Sequence, residues 1–243
     1  MPPPLDLPAH WWGPLGRRTS LLTVQDLIAN RTLPAELAAW FWVLIESGAS
    51  TLVCAGPGGA GKTTLLTALT AFLDPMRVPY VVRGAYDPLD AVANRSSSET
   101  VLLLNEISAH LPIYVWGPGA RRVFDAGLTG AQLLGTAHAT TPKEAVRELS
   151  APPVDASEDD LRLWDLVVCV DAWWQENQVV RRVAGMMSFS LDWTPVSLVA
   201  HAADGFVRAE TSQMLRLSRR FGREDATIEH EVRRRVTALS LVP

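Results

Sequence analysis

The chain has 243 residues, of which 48% are hydrophobic, and a formal net charge of −4, which is enough for one α/β core with short extensions. No apolar run approaches the roughly 20 residues of a membrane-spanning helix, and the opening MPPPLDLPAHWW lacks the basic and apolar regions of a signal peptide, so we expect a cytoplasmic protein without direct membrane insertion. The negative charge balance argues against nucleic acid as a partner.

The first predicted elements are an arm and two helices. Residues 1–16 are rich in proline and lack periodicity, which favours an extended arm. Thr23 is placed to cap a short first helix, and Pro34 stands at the start of a second helix over Ala35–Glu46.

Beyond residue 50, short apolar runs alternate with helical stretches. The runs are TLVCA (51–55), VPYVV (78–82), VLLLN (101–105), QLLGTAH (132–138), DLVVCVD (165–171) and VVRRVAGMM (179–187). Such runs predict a mostly parallel sheet with helices on both faces. The last two runs predict an antiparallel edge hairpin joined by residues 172–178. Asp87-Pro88 predicts a helix that reaches residue 93.

The remaining segments give three local predictions. Ser157 and Asp160 are spaced as a helix capping box. Cys54 and Cys169 fall inside predicted strands, which predicts buried thiols rather than a disulfide. After residue 192 we expect arginine-rich helices, and because acidic residues are interleaved with the arginines we favour a solvated helix face over a phosphate or partner site.

The resulting division of the chain is an arm with lead-in helices (1–46), a P-loop core (47–192) and a small helical C-terminal extension (193–243).

Residues 56–63 read GPGGAGKT, a complete G-x-x-x-x-G-K-[ST] motif between a predicted strand and a predicted helix. Glycines let the backbone aim its N–H groups at a polyphosphate, and the helix adds its positive N-terminal end. We predict that Lys62 reaches the β- and γ-phosphates of ATP and that the Thr63 hydroxyl ligates Mg²⁺. The predicted nucleotide contacts are Gly56, Pro57, Gly58, Gly59, Ala60, Gly61, Lys62, Thr63 and Thr64. A glycine-rich turn without a ligand is the structural alternative.

The second half of the site is predicted at the tips of neighbouring strands. Glu106 follows VLLLN, where it can take a proton from an attacking water or hold Mg²⁺ through its water shell; the alternative is a glutamate that ends a strand in solvent. His138 ends the next apolar run, where it can sense the γ-phosphate or be structural. Lys62, Glu106 and His138 are therefore the predicted catalytic residues.

The chain resembles the type II/type IV secretion ATPases, the motors of pilus assembly and secretion, and most of all their tight-adherence-pilus branch. The resemblance is carried by GRRTSLLTVQDLIANRTLPAELAAWF, CAGPGGAGKTTLLTAL, VLLLNEIS, TGAQLLGTAHATTPKEAVREL, LWDLVVCVD and VVRRVAGM. It implies a RecA-like P-loop NTPase that uses ATP and Mg²⁺, with Glu106 as general base and His138 as the histidine-box residue. It also implies a homo- or hetero-oligomeric ring that meets secretion or pilus platform proteins at the inner face of the membrane.

Several positions depart from the family pattern. Asn105 stands where the family has glycine, and Ser108 where it has an arginine. An inter-subunit charge contact is therefore either missing or supplied by Arg121 or Arg122. The family's N-terminal domain is expected to be absent or reduced to the lead-in residues. The acidic box after the second strand is reduced to two positions, Asp87 and Asp90.

Two functional hypotheses follow. The first is an ATP-hydrolysing component of a secretion or type IV pilus machine, favoured by the intact loop together with Glu106 and His138. The second is a non-catalytic nucleotide-binding partner or regulator of such a machine, favoured by the departures. A small-molecule kinase lacks support, because the sequence shows neither a lid-like cluster of arginines nor an acceptor site.

Overall fold

A mostly parallel sheet of seven strands forms the centre of the protein. The computed structural model describes residues 22–56, 59–189 and 195–240. The strands of this sheet are β1 (Thr51–Cys54), β2 (Val78–Val82), β3 (Thr100–Leu104), β4 (Gln132–Ala137), β5 (Leu166–Gln175), β6 (Gln178–Phe189) and β7 (Pro195–Ser197). Across the sheet they lie in the order β2-β3-β4-β1-β5-β6-β7. The neighbours from β2 to β5 are parallel, whereas β6 is antiparallel to both β5 and β7.

Helices cover both faces of the sheet. They are α1 (Val24–Ala29), α2 (Ala35–Glu46), α3 (Lys62–Leu69), α4 (Gly117–Leu128), α5 (Pro142–Ser150), α6 (Glu158–Leu161), α7 (Thr211–Arg219) and α8 (Asp225–Ser240), with 3₁₀ turns at Thr70–Phe72 and Ser97–Glu99. One core is filled by α1, α2, α3, α7 and α8, and the other by α4, α5 and α6. The predicted α/β class with a mostly parallel sheet is confirmed. None of the helices in the described ranges is long and apolar enough to cross a membrane.

The strands that carry the site are buried on both faces. Every residue of β1, β3 and β4 is buried. This burial explains why the strands are largely apolar without alternation, since a strand with one solvated face would alternate apolar and polar residues.

The two helices that precede the sheet begin where the sequence places them. Thr23 Oγ1 accepts a hydrogen bond from Asp26 N at 3.1 Å, and the Asp26 carboxylate accepts one from Thr23 N at 2.7 Å, which completes a capping box. Pro34 is extended and stands immediately before α2, whose bounds are those predicted. The predicted capping box at Ser157 is also present, at the start of α6.

The C-terminal helix α8 packs along α2. Arg235 of α8 is only 6% exposed. It donates a hydrogen bond to Glu46, and its guanidinium lies 5.0 Å from the ring centroid of Trp42. The predicted solvated arginine face is therefore wrong at this position, because the side chain bridges two helices. Other arginines of the region form ion pairs, namely Arg219–Asp225, Arg220–Asp165 and Arg223–Glu231.

The predicted helix over residues 87–93 is wrong, since turns occupy this stretch. The Asp87 carboxylate accepts hydrogen bonds from the backbone N–H groups of Arg83 at 2.7 Å and Leu89 at 3.0 Å. Leu89 has a φ of +60°, which is incompatible with a continuing right-handed helix. An aspartate followed by proline also favours turns, and here its side chain closes one.

The antiparallel hairpin is longer than predicted and is not at the sheet edge. β5 continues to Gln175 and β6 begins at Gln178, so the connection is Glu176 and Asn177 rather than residues 172–178. The φ values of these two residues, 47° and 64°, suit a two-residue hairpin turn that follows the twist of the strands. The edge is formed by β7, which pairs with β6.

The segment after residue 192 also contains strands, which corrects the prediction of helices alone. After β7, the short strands β8 (Val199–His201) and β9 (Val207–Ala209) pair antiparallel before α7 begins. Each of these three strands has three residues, which is too short for an alternating pattern to be recognised in the sequence.

Candidate functional site

The candidate site lies at the C-terminal ends of the central parallel strands. β1 pairs with β4 on one side and β5 on the other, and the chain leaves β1 at Cys54 to form the glycine-rich loop. The loop ends at Gly61, whose φ of +97° lies in the left-handed region that favours glycine, and α3 begins at Lys62. The predicted strand–loop–helix order is therefore present. The predicted contacts Pro57 and Gly58 lie outside the described residues.

The first turn of α3 offers an anion-binding surface. The N–H groups at the start of an α-helix have no partner within the helix and carry its positive end. The N–H groups of Lys62, Thr63 and Thr64 occupy these positions, since the hydrogen bond from Leu65 N to Gly61 O, at 2.9 Å, is the first of the helical pattern. The Thr63 and Thr64 side chains are half-buried. The loop and helix can therefore hold a polyphosphate.

Three predicted site residues converge beside this helix end. Lys62 Nζ lies 3.7 Å from Glu106 Oε2 and 3.3 Å from His138 Nδ1. The Lys62 and Glu106 side chains are only 11% and 12% exposed, so solvent screens their attraction weakly. Glu106 follows β3 and His138 follows the adjacent β4, which brings both to the same C-terminal end of the parallel strands as the loop. The catalytic roles of the three residues stay predictions.

Glu106 is held in place by its surroundings. Its Oε1 accepts a hydrogen bond from Ser108 Oγ at 3.0 Å, and its backbone carbonyl accepts one from Val115 N at 2.8 Å. The preceding carbonyl, of Asn105, accepts a hydrogen bond from Thr136 Oγ1 on β4. The carboxylate is thus anchored through one oxygen and faces the lysine with the other.

Two histidines stand beside the cluster. Lysine can only donate hydrogen bonds, so in its contact with Lys62 the acceptor is Nδ1 of His138. His110, which the sequence did not single out, lies with Nδ1 3.7 Å from Glu106 Oε1. Its ring packs edge-on against His138, with centroids 6.2 Å apart. The sequence contains no local signal for His110, because residues 107–110 are not helical and a spacing of four residues brings side chains together only on a helix.

Distant segments also contact the loop. Arg181 of β6 donates two hydrogen bonds to the Gly59 carbonyl, from Nε at 3.0 Å and from Nη2 at 2.9 Å. A Cβ on Gly56 would lie 2.4 Å from Thr140 Cγ2, so the Thr140 methyl group closes over the start of the loop. Neither contact belongs to a motif, because both depend on how the strands assemble.

Of the residues named where the chain departs from the family pattern, Asp87, Arg121 and Arg122 form hydrogen bonds within the chain. Asp87 is committed to its own turn, where it also accepts a hydrogen bond from a tyrosine hydroxyl at 2.8 Å, and Asp90 is exposed. Arg121 donates to both carboxylate oxygens of Asp160, at 2.8 and 2.7 Å. Arg122 donates to two backbone carbonyls of the Asp87 turn, at 2.8 and 2.9 Å. Any contact of these two arginines with a neighbouring subunit would compete with these bonds.

Two ionisable groups near the site stay uncharged at neutral pH. A hydrogen bond with Cys169 and burial raise the pKa of the Cys54 thiol. Both thiols are buried and free, as predicted, and they face each other on β1 and β5. Burial, reinforced by the negative charge of Glu106, raises the pKa of Tyr114. The Cys54 thiol and the Tyr114 hydroxyl therefore add no charge to the site.

The side chains fit a magnesium ion that arrives with a nucleotide. Thr63 and Glu106 supply the oxygen donors that Mg²⁺ prefers. Within the part of the chain that the structure describes, no three His, Cys, Asp or Glu side chains are grouped to hold a metal by themselves. Because Mg²⁺ keeps several waters and takes phosphate oxygens as ligands, one or two protein oxygens are sufficient.

Comparison with known sequences finds relatives of undefined role. No protein-family model matches the chain. An uncharacterised protein of Methanocaldococcus jannaschii, MJ1287, is 32% identical over 148 residues, which cover 54% of this chain and 54% of the relative. A second from the same organism, MJ0900, is 26% identical over 182 residues, which cover 68% of this chain and 33% of the relative. The chain thus spans about half or less of the curated relatives it matches.

Comparison with solved structures finds secretion ATPases at low similarity. The ATPase DotB of Yersinia pseudotuberculosis aligns with a TM-score of 0.49 and 12% identity, over 71% of this chain and 50% of that one. The VirB11 ATPase of the Brucella suis type IV secretion system gives 0.40 and 15%, over 71% and 66%. DotB of Legionella pneumophila gives 0.41 and 12%, over 90% and 58%. At these scores no residue role is transferred from them to this chain.

Proposed function

We propose that this chain binds ATP with Mg²⁺ and hydrolyses the nucleotide as a cytoplasmic component of a type II/IV secretion or type IV pilus assembly machine. The observation that carries the proposal is the cluster of Lys62, Glu106 and His138 beside the N-terminal end of α3. Helix N–H groups for phosphate, a cation, an anchored carboxylate and an imidazole are the groups that phosphoryl transfer to water requires. The machine itself is proposed from the sequence resemblance.

The chemistry assigns one task to each side chain. Water attacks the γ-phosphorus as the bond to the β–γ bridging oxygen breaks, which yields ADP and inorganic phosphate. Glu106 accepts the proton of that water on a carboxylate oxygen. The Lys62 side chain moves from Glu106 toward the β- and γ-phosphate oxygens. Because Lys62 also contacts His138, this movement changes the surroundings of the imidazole. When bound, Mg²⁺ neutralises phosphate charge, with the Thr63 hydroxyl as its protein ligand and Glu106 acting through water.

A non-catalytic nucleotide-binding role is the second candidate, and one observation favours it. Both oxygens of Glu106 are engaged, one by Ser108 at 3.0 Å and the other by Lys62 at 3.7 Å. A carboxylate that stays in these contacts after nucleotide binds would not take a proton from water. The chain would then bind nucleotide and occupy or regulate a ring without hydrolysing ATP.

Assembly forms the second part of the proposal. The loop and the Lys62 cluster lie at the C-terminal ends of the central strands, where a neighbouring subunit can close over a bound nucleotide. We therefore propose a homo- or hetero-oligomeric ring with secretion or pilus platform proteins as partners. Phosphate release measured at several protein concentrations tests this, because activity per chain rises with concentration if a neighbour completes the site.

The binding step is tested with the two lysines of the chain. Lys62→Ala removes the cation at the phosphates, a charge-assisted contact, and should weaken ATP binding at least about tenfold, or ~1.4 kcal/mol. Lys143→Ala is the matched control, since Lys143 is the only other lysine and is exposed on α5. Titration calorimetry with MgATP makes the comparison. Equal affinity in the Lys62→Ala and wild-type proteins would contradict the proposal.

A further inference from the structure

Arg181 contacts the phosphate-binding loop from the side opposite Glu106. β6, which carries Arg181, and β3, which precedes Glu106, lie on opposite sides of β1 in the sheet. Arg181 reaches the loop carbonyl of Gly59 with two N–H groups, at 3.0 and 2.9 Å, across 122 residues of sequence. The loop therefore has one cation on each flank, Lys62 on one and Arg181 on the other.

The stem of Arg181 lies across the end of the loop. A Cβ added to Gly61 would be 2.9 Å from Arg181 Cδ, which is closer than real side chains approach. The absence of a side chain at Gly61 thus serves two purposes: it permits the left-handed φ and it makes room for the arginine. The guanidinium is thus held between the Gly59 carbonyl and Gly61, the residue before α3.

The two cations differ in how their charge is balanced. Lys62 faces a carboxylate, whereas the partners of Arg181 in the described part of the chain are neutral carbonyls, of Gly59 and, at 3.5 Å, of Val179. A carbonyl leaves the guanidinium charge uncompensated. Hydrogen bonds from arginine to phosphate are about twice as strong as hydrogen bonds between neutral groups, and the planar fork suits two phosphate oxygens.

We propose that Arg181 is a second cationic ligand of the bound nucleotide, and that its guanidinium exchanges the Gly59 carbonyl for oxygens of the α- and β-phosphates. This inference rests on the proposed function, because it needs a nucleotide in the loop. The choice of phosphates follows from position: the γ-phosphate lies toward Glu106, so the opposite flank meets the phosphates that ADP and ATP share. Arg181 accordingly supports binding of both nucleotides, whereas Glu106 acts on ATP alone.

A purely structural role for Arg181 makes different predictions. If the side chain only holds Gly59, a neutral donor should replace it, and Arg181→Gln supplies an amide N–H for the carbonyl without a charge. If phosphate attraction matters, Arg181→Lys should largely replace it, because lysine keeps the charge although it loses the fork. Arg182→Gln is the matched control: the neighbouring side chain donates to the Gly205 carbonyl and lies over the Phe206 ring, away from the loop.

The experiment is calorimetric titration of the full chain and its variants with MgADP and MgATP, with thermal melts to verify folding. We expect Arg181→Gln to weaken both nucleotides about tenfold, Arg181→Lys to stay within about threefold of wild type, and Arg182→Gln to bind as wild type. Wild-type affinity in Arg181→Gln, or equal losses in the Gln and Lys variants, overturns the phosphate contact. A loss for ATP without a loss for ADP overturns the assignment to the α- and β-phosphates. A wild-type chain that binds neither nucleotide refutes the proposed function itself, which is a separate outcome.

Discussion

Replacing Glu106 by glutamine separates catalysis from binding. The variant keeps the size of the side chain and an oxygen that can accept the Ser108 hydrogen bond, but it removes the charge that faces Lys62. Glutamine cannot take a proton from water at neutral pH. We therefore expect turnover to fall by about 10²-fold or more, the usual scale for loss of a general base.

The same replacement should not weaken ATP binding and should strengthen it. The Lys62–Glu106 separation of 3.7 Å corresponds to about 1 kcal/mol of attraction in water and about 4 kcal/mol at an effective dielectric constant of ~20. Part of this attraction is lost when the lysine turns to phosphate, and Glu106 also repels the incoming negative charge. If Glu106→Gln removes only about 1.4 kcal/mol of this cost to ATP binding, the variant binds ATP about tenfold more tightly than the wild type.

Two assays on one set of proteins test this reasoning. Titration with MgATP gives the affinity, and release of inorganic phosphate gives the turnover. Glu148→Gln is the matched control, because Glu148 is 51% exposed on α5 and pairs with Arg147 rather than with the site. Turnover in Glu106→Gln equal to wild type would refute the general-base role. Weaker ATP binding would refute the competition for Lys62, and a wild type without turnover would leave the non-catalytic candidate.

Three further predictions concern stability and assembly. Burial, opposed by Arg220, raises the pKa of Asp165 from 3.8 to about 6, so the native state holds this proton more tightly than the unfolded chain does. The resulting stabilisation, about 3 kcal/mol in all, is full below pH ~4 and is lost as the pH rises through ~6. The free energy of unfolding, measured with denaturant from pH 4 to 7, should therefore decline less in Asp165→Asn than in the wild type. Gly119→Ala should lower the melting temperature although alanine favours helices, because its Cβ would lie 2.6 Å from the Ala85 backbone. The control Gly185→Ala should be tolerated, since its Cβ would meet no atom within 4 Å. Equal melting temperatures of the two variants would contradict the packing at α4. Light scattering should show association promoted by MgATP, and a particle size unaffected by nucleotide or partner would count against the ring.

The parts of the site that could be predicted from sequence are those with local signals. The loop, its flanking strand and α3 lie within one short segment, and the bounds of α2 follow from Pro34 and the apolar run behind it. Glu106 and His138 were placed by a rule about strand ends, which needs only strand boundaries and a parallel sheet. Their contacts with Lys62 agree with that rule.

The remaining parts depend on tertiary structure. Arg181 reaches Gly59 only because β6 lies two strands from β1. Asp87 closes a turn rather than starting a helix, and the same dipeptide is typical of both, so propensity could not decide. Arg235 reads as one more surface charge among many, but the packing of α8 on α2 buries it beside Trp42.

The packing of α8 on α2 also means that the core around α2 is completed late during synthesis. Eight of the twelve residues of α2 are buried, yet its ion-pair partner Arg235 follows Glu46 by 189 residues. At the usual ~5–20 residues per second, a ribosome needs on the order of 10–40 s to deliver α8 after α2 has emerged. Throughout that interval a strongly apolar helix lacks part of its cover, and exposed apolar surface of this kind favours aggregation. Removal of α8 should accordingly cause aggregation in cells rather than a shortened but soluble nucleotide-binding core.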